Sequence, residues 1–502
     1  MDLSTWIDRW ADLQPDKTAV RFDGAAISYT ELAGRIGRLA GMLQHELGVQ
    51  PGDRVAHLGL NSPELLDLAF ACARLGAILV PLNWRLAAPE HLFILHDCGA
   101  GVLLVEPEFQ DQTEDIRAAL PGLKTVAYGA ARDGWPAYDD LLGQGEDAAS
   151  GAAGYESPFL LVYTSGTTGK PKGAVLSQNA ILWNAINSAH NHDLTSADHI
   201  LTTIPMFHVG GLNIQTLPAL HAGATVTLQR RFDPGGMLAE IANGRPSLTV
   251  AVPAMMQAMI GHPDWADTDL TSLRGLNCGS APVPEALIRA FLERGVPVGQ
   301  VYGATETAPI AVYLRFEDGE RKIGSCGKPA IHCDVRIVRE DGGDAAVGEP
   351  GEIVVRGPNV MTEYWGNPEA TAEALKDGWF YTGDIAHRDE DGYFHIDDRK
   401  KDVVISGGEN VYPAELENVL ADCPMIAEAA VIGCPDERWG EVPVAYIVRT
   451  PGADLTTEDA LALFAGRLAR YKHPHRIVFV EALPRNAMGK VQKFELRERA
   501  ET

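Results

Sequence analysis

A stretch rich in glycine and hydroxyl residues carries the strongest chemical signal in this sequence. It reads Tyr163-Thr164-Ser165-Gly166-Thr167-Thr168-Gly169-Lys170-Pro171-Lys172-Gly173. Glycine lets the backbone turn so that successive N–H groups point at an anion, while the hydroxyls and lysines add donors and positive charge. The Walker pattern needs Ser or Thr directly after its Lys, but here Pro171 follows Lys170. The stretch therefore predicts polyphosphate binding by another kind of loop, with a flexible surface loop as the alternative.

The segments around this loop predict how it is positioned. The apolar run Phe159-Leu160-Leu161-Val162 precedes it and predicts a buried strand that delivers it. Up to about residue 395, short Val/Ile/Leu strands alternate with longer Ala/Leu-rich helical patterns. One example is a strand over 54–58, a helix over 63–76 and a strand over 77–80. Such alternation is typical of βαβ units, so we expect an α/β fold with sheets covered by helices.

A dense charged cluster at 397–402 marks a change in the sequence. The chain has 502 residues, which suggests about three domains or subdomains. About a hundred residues beyond the cluster have strands and helices of their own, enough for a small α+β domain. We therefore predict an N-terminal domain over 1–398, a small mobile C-terminal domain over 399–502, and a hinge at 399–401. A plain solvated turn at the cluster is the alternative.

Composition excludes several classes of function. Sixty-eight acidic and 42 basic side chains give a net charge of −26, which disfavours nonspecific attraction to nucleic acid or anionic lipid. The seven cysteines are scattered without a CxxC pair or a zinc-like spacing, as expected for reduced thiols. No run approaches the ~20 apolar residues of a spanning helix, and the first residues lack a signal-peptide pattern. We expect a cytoplasmic protein without a nucleic-acid partner or a spanning membrane segment.

Six further islands follow the loop in a fixed order. They are Cys278–Pro282, Val301–Thr307, Tyr381–Asp384, Asp398–Asp402, Ser406–Glu415 and Pro484–Lys490. With the loop, the ordered set resembles the adenylate-forming superfamily of acyl-CoA synthetases, nonribosomal-peptide adenylation domains and beetle luciferases, over essentially the whole chain. Within that superfamily it looks most like the bacterial fatty-acyl-CoA synthetases. The resemblance implies an AMP-forming carboxylic acid–CoA ligase: ATP and a carboxylate give acyl-adenylate and pyrophosphate, and the CoA thiol then gives acyl-CoA and AMP.

The resemblance also implies a nucleotide site. Its ATP- and AMP-binding residues are Thr164, Ser165, Gly166, Thr167, Thr168, Gly169, Lys172, Gly279, Ser280, Ala281, Pro282, Tyr302, Gly303, Ala304, Thr305, Asp384, Arg399 and Lys490. Glu306, with Thr164, would hold Mg²⁺, a hard cation that takes oxygen ligands. Tyr302 would stack on adenine and Asp384 would accept hydrogen bonds from the ribose hydroxyls. Read alone, Tyr302 could be core filler and Asp384 a turn residue.

The C-terminal islands carry the remaining implied roles. Lys490 would bridge the incoming carboxylate and the α-phosphate, where a positive charge stabilises the transition state. Thr164, Glu306 and His208 complete the implied catalytic set. Lys401 matches the hinge position of the family, and Gly407, Gly408 and Glu409 would line the CoA tunnel after the small domain rotates.

The sequence says least about which acid is activated. His208, Val209, Gly210, Met255 and Ala304 are the implied acyl-pocket residues, and Val252–Met259 is strongly apolar. Malonate-activating relatives carry an Arg near the position of Ala258, which pairs with the second carboxylate. The absence of that Arg here argues against a dicarboxylic acid, because a buried second charge would lack a partner. We expect an apolar monocarboxylic acid, fatty or related. An aryl or cinnamate-type acid, transfer to a carrier-protein pantetheine, nucleotide binding without catalysis, and a homodimer all stay open.

Overall fold

A computed structural model describes residues 1–129, 132, 134–142, 148, 153–164, 171–279, 283–406, 409–436, 438–465, 467–468, 470–485 and 491–501. The strands, in chain order, are β1 Thr18–Phe22, β2 Ala25–Ser28, β3 Arg54–Leu58, β4 Ile78–Pro81, β5 Val102–Val105, β6 Lys124–Ala127, β7 Pro158–Thr164, β8 Lys172–Ser177, β9 His199–Thr202, β10 Thr225–Leu228, β11 Leu248–Ala251, β12 Gly275–Gly279, β13 Val298–Tyr302, β14 Val312–Leu314, β15 Lys328–Pro329, β16 Asp334–Val338, β17 Gly351–Arg356, β18 Glu363–Tyr364, β19 Leu375–Lys376, β20 Trp379–Arg388, β21 Phe394–Arg399, β22 Val404–Ser406, β23 Glu409–Val411, β24 Ile426–Asp436, β25 Gly440–Arg449 and β26 Arg476–Phe479. The helices are α1 Ser4–Leu13, α2 Tyr29–Gly41, α3 Pro63–Leu75, α4 Ala88–Cys98, α5 Gln110–Ala119, α6 Tyr138–Leu142, α7 Gln178–His192, α8 Val209–Gly211, α9 Leu217–His221, α10 Pro234–Gly244, α11 Pro253–Ile260, α12 Glu285–Glu293, α13 Pro368–Ala374, α14 Pro413–Ala421, α15 Thr457–Ala462 and α16 Lys493–Glu501.

The first of two compact units comprises residues 1–280, 287–335 and 355–380. It contains a nine-stranded sheet of order β15-β14-β13-β12-β11-β9-β10-β1-β2 and a seven-stranded sheet of order β18-β8-β7-β4-β3-β5-β6. Neighbouring strands from β1 through β10, β9, β11 and β12 to β13 are parallel. The alternating strands and helices expected from the sequence are therefore confirmed, and the fold is α/β.

One βαβ unit illustrates how local sequence signals become structure. Helix α3 has proline at its first position, where the ring fits and the missing N–H costs nothing. It ends at Gly76, which adopts the left-handed conformation with φ 73°. The chain can then reverse into β4, which pairs in parallel with β3. The strand, helix and strand expected over 54–80 are thus present.

The second unit comprises residues 281–286, 336–354 and 381–502. One of its sheets has the order β23-β22-β25-β24, with β26 beside β25. Helices α14 and α15 belong to the same unit, and its main core includes the buried side chains of Leu416, Val431 and Phe464. Residues 381–399 form an antiparallel hairpin of β20 and β21. The hinge at 399–401 stays a prediction.

Two sequence expectations concern the whole chain. All seven cysteines are free and buried, as expected for reduced thiols. Within the described ranges, every helix is too short or too polar to cross a membrane.

Candidate active site

Predicted nucleotide-binding residues lie at the carboxyl ends of strands. Gly279 is the last residue of β12 and Tyr302 the last of β13, and these strands are parallel neighbours with Gly279 opposite Val301. Ligands of α/β sheets characteristically bind at such ends. A Cβ at Gly279 would lie only 2.7 Å from the Val301 carbonyl oxygen, so glycine is required for this approach. The structure therefore brings two of the predicted islands to one edge of the nine-stranded sheet.

The predicted phosphate loop is held by a hairpin of β7 and β8. Thr164 ends β7 opposite Lys172 at the start of β8, and the Thr164 hydroxyl lies 3.4 Å from the Lys172 carbonyl oxygen. Buried Phe159–Val162 supply the apolar strand that the sequence predicts. Ser165 to Gly169 lie outside the described residues. The two ends of the loop are thus fixed side by side by the strand register.

Glu306 is positioned by contacts that its own motif does not reveal. It lies in the single helical turn Thr305–Thr307 after β13 and is only 8% exposed. Its carbonyl oxygen accepts a hydrogen bond from the Met361 N–H, at 2.7 Å. Its carboxylate oxygen Oε1 accepts a hydrogen bond from the Tyr364 hydroxyl, also at 2.7 Å. Segment 361–364 therefore fixes both the backbone and the side chain of Glu306.

Tyr364 connects Glu306 to the phosphate-loop hairpin. It lies on β18, which pairs with β8 and places Tyr364 opposite Ala174. The Lys172 ammonium group lies 5.4 Å from the centre of the Tyr364 ring, within the range of a cation–π contact. Sequence reasoning missed Tyr364, because a tyrosine outside any recognised motif has no local signal of function.

The oxygen ligands at Glu306 fit a magnesium ion. Among the described residues, no cluster of three or more His, Cys, Asp or Glu side chains could hold a metal ion. Mg²⁺ needs no such cluster, since it is commonly bound by one or two carboxylates together with substrate phosphates and water. Oε1 of Glu306 accepts the one hydrogen bond described for this carboxylate, which comes from the Tyr364 hydroxyl.

The predicted acyl-pocket residues lie on separate elements. His208 precedes α8 and its Nδ1 accepts a hydrogen bond from the Gly210 N–H, at 3.0 Å. Loss of hydration lowers the pKa of His208 to about 4, so the ring is neutral near pH 7 and its proton resides on Nε2. Val209 belongs to the main apolar core, against which Ala304 packs, and Met255 is buried on α11. A neutral His208 can orient a carboxylate by donating a hydrogen bond, but it supplies no positive charge.

In the second unit, Asp384 and Arg399 face each other across the β20–β21 hairpin. The Arg399 Nε lies 2.7 Å from Oδ1 of Asp384, whose side chain is 9% exposed. Lys400 pairs with Glu352 at 2.9 Å, and Lys401 is exposed. The structure thus joins two of the residues that the sequence assigns to the nucleotide from this unit.

Several predicted residues lie outside the described part of the chain. These are Ser280, Ala281, Pro282, Gly407, Gly408 and Lys490, and of Glu409 only its place in β23 is described. Two ion pairs hold the helix that follows Lys490: Lys493 lies 2.8 Å from Glu417 and Arg497 lies 2.7 Å from Asp402. The segment after Lys490 is therefore well anchored within its own unit.

Comparison with known proteins identifies the family. The model of the AMP-binding enzyme family matches residues 7–365, and that of the AMP-binding enzyme C-terminal domain matches residues 415–490. The chain belongs to the AMP-binding enzyme family. The family resemblance read from the sequence is therefore confirmed.

Individual relatives extend over nearly the whole chain. An indoleacetate–CoA ligase from Aromatoleum aromaticum is 53% identical over 500 residues, covering 99% of this chain and 98% of the relative. The long-chain-fatty-acid–CoA ligase FadD13 of Mycobacterium tuberculosis is 39% identical, covering 94% of this chain and 93% of the relative. The structure of o-succinylbenzoate–CoA synthetase from Bacillus subtilis with ATP and magnesium superposes with a TM-score of 0.88 at 33% identity, covering all of both chains.

Proposed function

We propose that the acid activated by this AMP-forming acid–thiol ligase is an aryl-substituted monocarboxylic acid of the indoleacetate type. The observation that carries the proposal is the 53% identity, over 99% of the chain, with an indoleacetate–CoA ligase. Identity to the fatty-acid ligase is lower, at 39%. The proposal replaces the fatty acid favoured by the sequence with the aryl alternative.

ATP, Mg²⁺ and CoA are the cofactors of this ligase. Glu306 supplies a carboxylate oxygen to Mg²⁺, and the hydroxyl of Thr164 supplies another oxygen ligand. Bound Mg²⁺ neutralises phosphate charge during phosphoryl chemistry. The 2.7 Å hydrogen bond from Tyr364 supports this role, because it holds the Glu306 carboxylate in one orientation.

The proposed nucleotide-binding residues come from several islands of the sequence. The loop 164–169 and Lys172 bind the phosphates, and Gly279–Pro282 with Tyr302–Thr305 bind the adenine and the α-phosphate. Asp384 accepts hydrogen bonds from the ribose hydroxyls, and Arg399 holds the Asp384 carboxylate in position. The 2.7 Å ion pair and the burial of Asp384 support a fixed acceptor.

The two half-reactions use different parts of the C-terminal domain. Lys490 neutralises charge between the carboxylate and the α-phosphate during adenylation, as expected for an electrostatic catalyst. A hinge at Lys401 then lets the domain over 399–502 rotate and bring 407–409 to the CoA thiol. The exposure of Lys401 supports a hinge there, since no packing has to be broken around its side chain.

Release of AMP tests the proposal directly. The enzyme is incubated with ATP, Mg²⁺ and CoA, and with each of indole-3-acetate, phenylacetate, 4-coumarate, octanoate and palmitate, and the thioesters are detected by mass. We expect the highest kcat/KM with an aryl acid. A clear preference for octanoate or palmitate would refute the aryl assignment while leaving the ligase class intact.

A further inference from the structure

One buried amide joins the two segments that carry the proposed acid-orienting and magnesium-binding residues. Asn184 lies on α7 and is fully buried. Its Nδ2 donates a hydrogen bond to the Asn213 carbonyl oxygen at 2.7 Å, and its Oδ1 accepts one from the Ile310 N–H at 3.0 Å. Burial shields both bonds from competing water, so the planar amide holds the two backbones at a fixed separation.

The Asn213 end of this bridge leads back to His208. Asn213 lies in the helical turn Leu212–Thr216, which directly follows α8. The N–H groups of Gly211 and Leu212 both donate to the His208 carbonyl oxygen, at 3.0 and 3.1 Å. Since these bonds tie His208 to the start of the same turn, a shift of the Asn213 carbonyl group carries the backbone of His208 with it.

The Ile310 end of the bridge leads back to Glu306. Asn359 is fully buried, and its Nδ2 donates to the carbonyl oxygens of Thr307 and Ile310, at 2.7 and 3.0 Å. These two bonds close residues 307–310 into a compact turn that begins directly after Glu306. The bond between Asn184 and Ile310 therefore fixes the position of the turn next to the proposed magnesium ligand.

Helix α7 connects the same bridge to the phosphate-loop hairpin. The helix begins at Gln178, directly after β8, and the Ser177 hydroxyl caps it by accepting a hydrogen bond from the Ala180 N–H at 3.1 Å. Strand β8 starts at Lys172, at the base of the predicted phosphate loop. One continuous strand and helix thus lead from that loop to the amide that joins the other two segments.

We propose that Asn184 is a positioning residue that holds the acid carboxylate and the α-phosphate at the separation needed for adenylation. The inference rests on the roles proposed for His208 and Glu306, and it adds a buried residue that acts on both through the backbone. The carboxylate and the α-phosphate are both anions, so their reaction depends on the protein holding them together. A misplacement of about 1 Å typically costs up to about 100-fold in rate.

The two half-reactions differ in their need for this bridge. Adenylation joins two separately bound groups, so its rate depends on the distance between the segments that hold them. In the acyl-adenylate the acyl group and the phosphate are already covalently joined. Thioester formation from the acyl-adenylate is therefore expected to tolerate loss of the bridge.

Two variants of the same helix test the inference. Asn184→Leu keeps the approximate size of the side chain and removes both hydrogen bonds. The matched control is Asn187→Leu, one turn later on α7, where the amide is also fully buried. Oδ1 of Asn187 accepts from the His332 N–H at 3.1 Å, and its Nδ2 lies 3.4 Å from Sγ of Cys333. The control makes the same chemical change, and the bonds described for Asn187 reach neither of the two segments.

The half-reactions are measured separately, with indole-3-acetate and in parallel with octanoate. Acid-dependent exchange of pyrophosphate into ATP reports adenylation, and conversion of presynthesised acyl-adenylate with CoA reports thioester formation. In Asn184→Leu we expect the maximal exchange rate to fall about 10- to 100-fold, with smaller changes in KM for ATP and for the acid. Thioester formation should stay near the wild-type rate, and Asn187→Leu should keep the wild-type ratio of the two half-reactions.

Equal loss of both half-reactions in Asn184→Leu, or the same selective loss in Asn187→Leu, would overturn the inference, because the amide would then only stabilise the core. Melting temperatures identify a variant that has not folded. If Asn184→Leu does not fold, Asn184→Ser gives the same comparison, since its short hydroxyl cannot reach both backbones but leaves room for water to pair with them. A wild-type preference for octanoate would refute the aryl assignment without changing the expected ratio, so the two failures are distinguishable.

Discussion

The Tyr364 hydroxyl donates a hydrogen bond to Oε1 of Glu306 at 2.7 Å, although 58 residues separate them in the chain. Both side chains are less than a tenth exposed, so the bond is shielded from water. The Lys172 ammonium group lies over the ring of the same tyrosine. Tyr364 therefore acts as a positioning residue for the proposed magnesium ligand and for the base of the phosphate loop.

Tyr364→Phe should impair the dependence of adenylation on magnesium. The substitution keeps the ring and its contact with Lys172 but removes one hydrogen bond to a charged group, a loss of about 1.5–3 kcal/mol. We expect kcat/KM for Mg·ATP to fall about 10- to 100-fold, with a higher Mg²⁺ concentration needed for half-maximal pyrophosphate release.

A second tyrosine makes a suitable control for this variant. Tyr155 precedes the first residue of β7, whereas Thr164 is the last residue of that strand. Tyr155 is partly buried. Tyr155→Phe should keep the wild-type magnesium titration. If Tyr364→Phe only lowers the melting temperature and leaves the titration unchanged, the positioning role is wrong.

The sequence predicted the fold because its signals are local. Phe159–Val162 form a buried strand as their unbroken apolar run indicated, and proline at 63 and glycine at 76 bound a helix as such residues usually do. The alternation of strands and helices along the sequence predicted the parallel sheets. The family followed from the order of several short motifs, each weak alone, and the family models match the chain on both sides of residue 400.

The contacts around the motifs could not be predicted in the same way. Tyr364 meets Glu306 only because β18 adds to the edge of β8, a pairing between segments nearly 190 residues apart. Such long-range contacts depend on packing rather than on sequence spacing.

Asp384→Asn should weaken nucleotide binding, because Asp384 is proposed to accept hydrogen bonds from the ribose hydroxyls. The variant keeps the size of the side chain but removes the charge that pairs with Arg399 at 2.7 Å and would attract the ribose hydroxyls. We expect the dissociation constant for AMP, measured by calorimetry, to rise about 10- to 100-fold.

An exposed ion pair of the same type controls for the loss of charge. Arg356 and Asp334 also lie 2.7 Å apart, but Asp334 is 64% exposed. Asp334→Asn makes the same chemical change and should leave AMP binding at the wild-type level. Equal weakening by both substitutions would mean that general electrostatics, rather than contact with the nucleotide, explains the effect.

His57 should make the protein less stable in acid. The ring is fully buried without a described hydrogen bond, and burial lowers its pKa from 6.5 to about 3. Between these values the unfolded chain binds a proton that the folded protein does not. The free energy of unfolding therefore falls as the pH drops from 6.5 towards 3, by about 1.4 kcal/mol per pH unit for this group. In calorimetry, His57→Gln should narrow the difference in melting temperature between pH 7 and pH 5.

The groups around His57 do not reverse this expectation. The Tyr128 ring lies 5.7 Å away, and Glu106 lies on the neighbouring strand end with a pKa raised by burial. The Glu106 carboxylate is already paired with Arg230 at 2.8 Å. His45→Gln, at an exposed histidine, is the control and should keep the wild-type pH dependence. An identical pH dependence in His57→Gln would show that His57 is hydrated or protonated in the folded protein.

Lys490→Ala should separate the two half-reactions. If the lysine neutralises charge between the carboxylate and the α-phosphate, its loss removes an electrostatic contribution that is typically worth about 10²- to 10³-fold in rate. Formation of the acyl-adenylate from ATP and acid should be lost, whereas thioester formation from presynthesised acyl-adenylate and CoA should continue. The ion pairs of Lys493 and Arg497 keep the following helix in place, so the substitution should not unfold the domain.

Lys376→Ala, at an exposed lysine of the other unit, is the control and should retain both half-reactions. Equal loss of both half-reactions in Lys490→Ala, with an unchanged melting temperature, would mean that the lysine serves binding in general rather than adenylation.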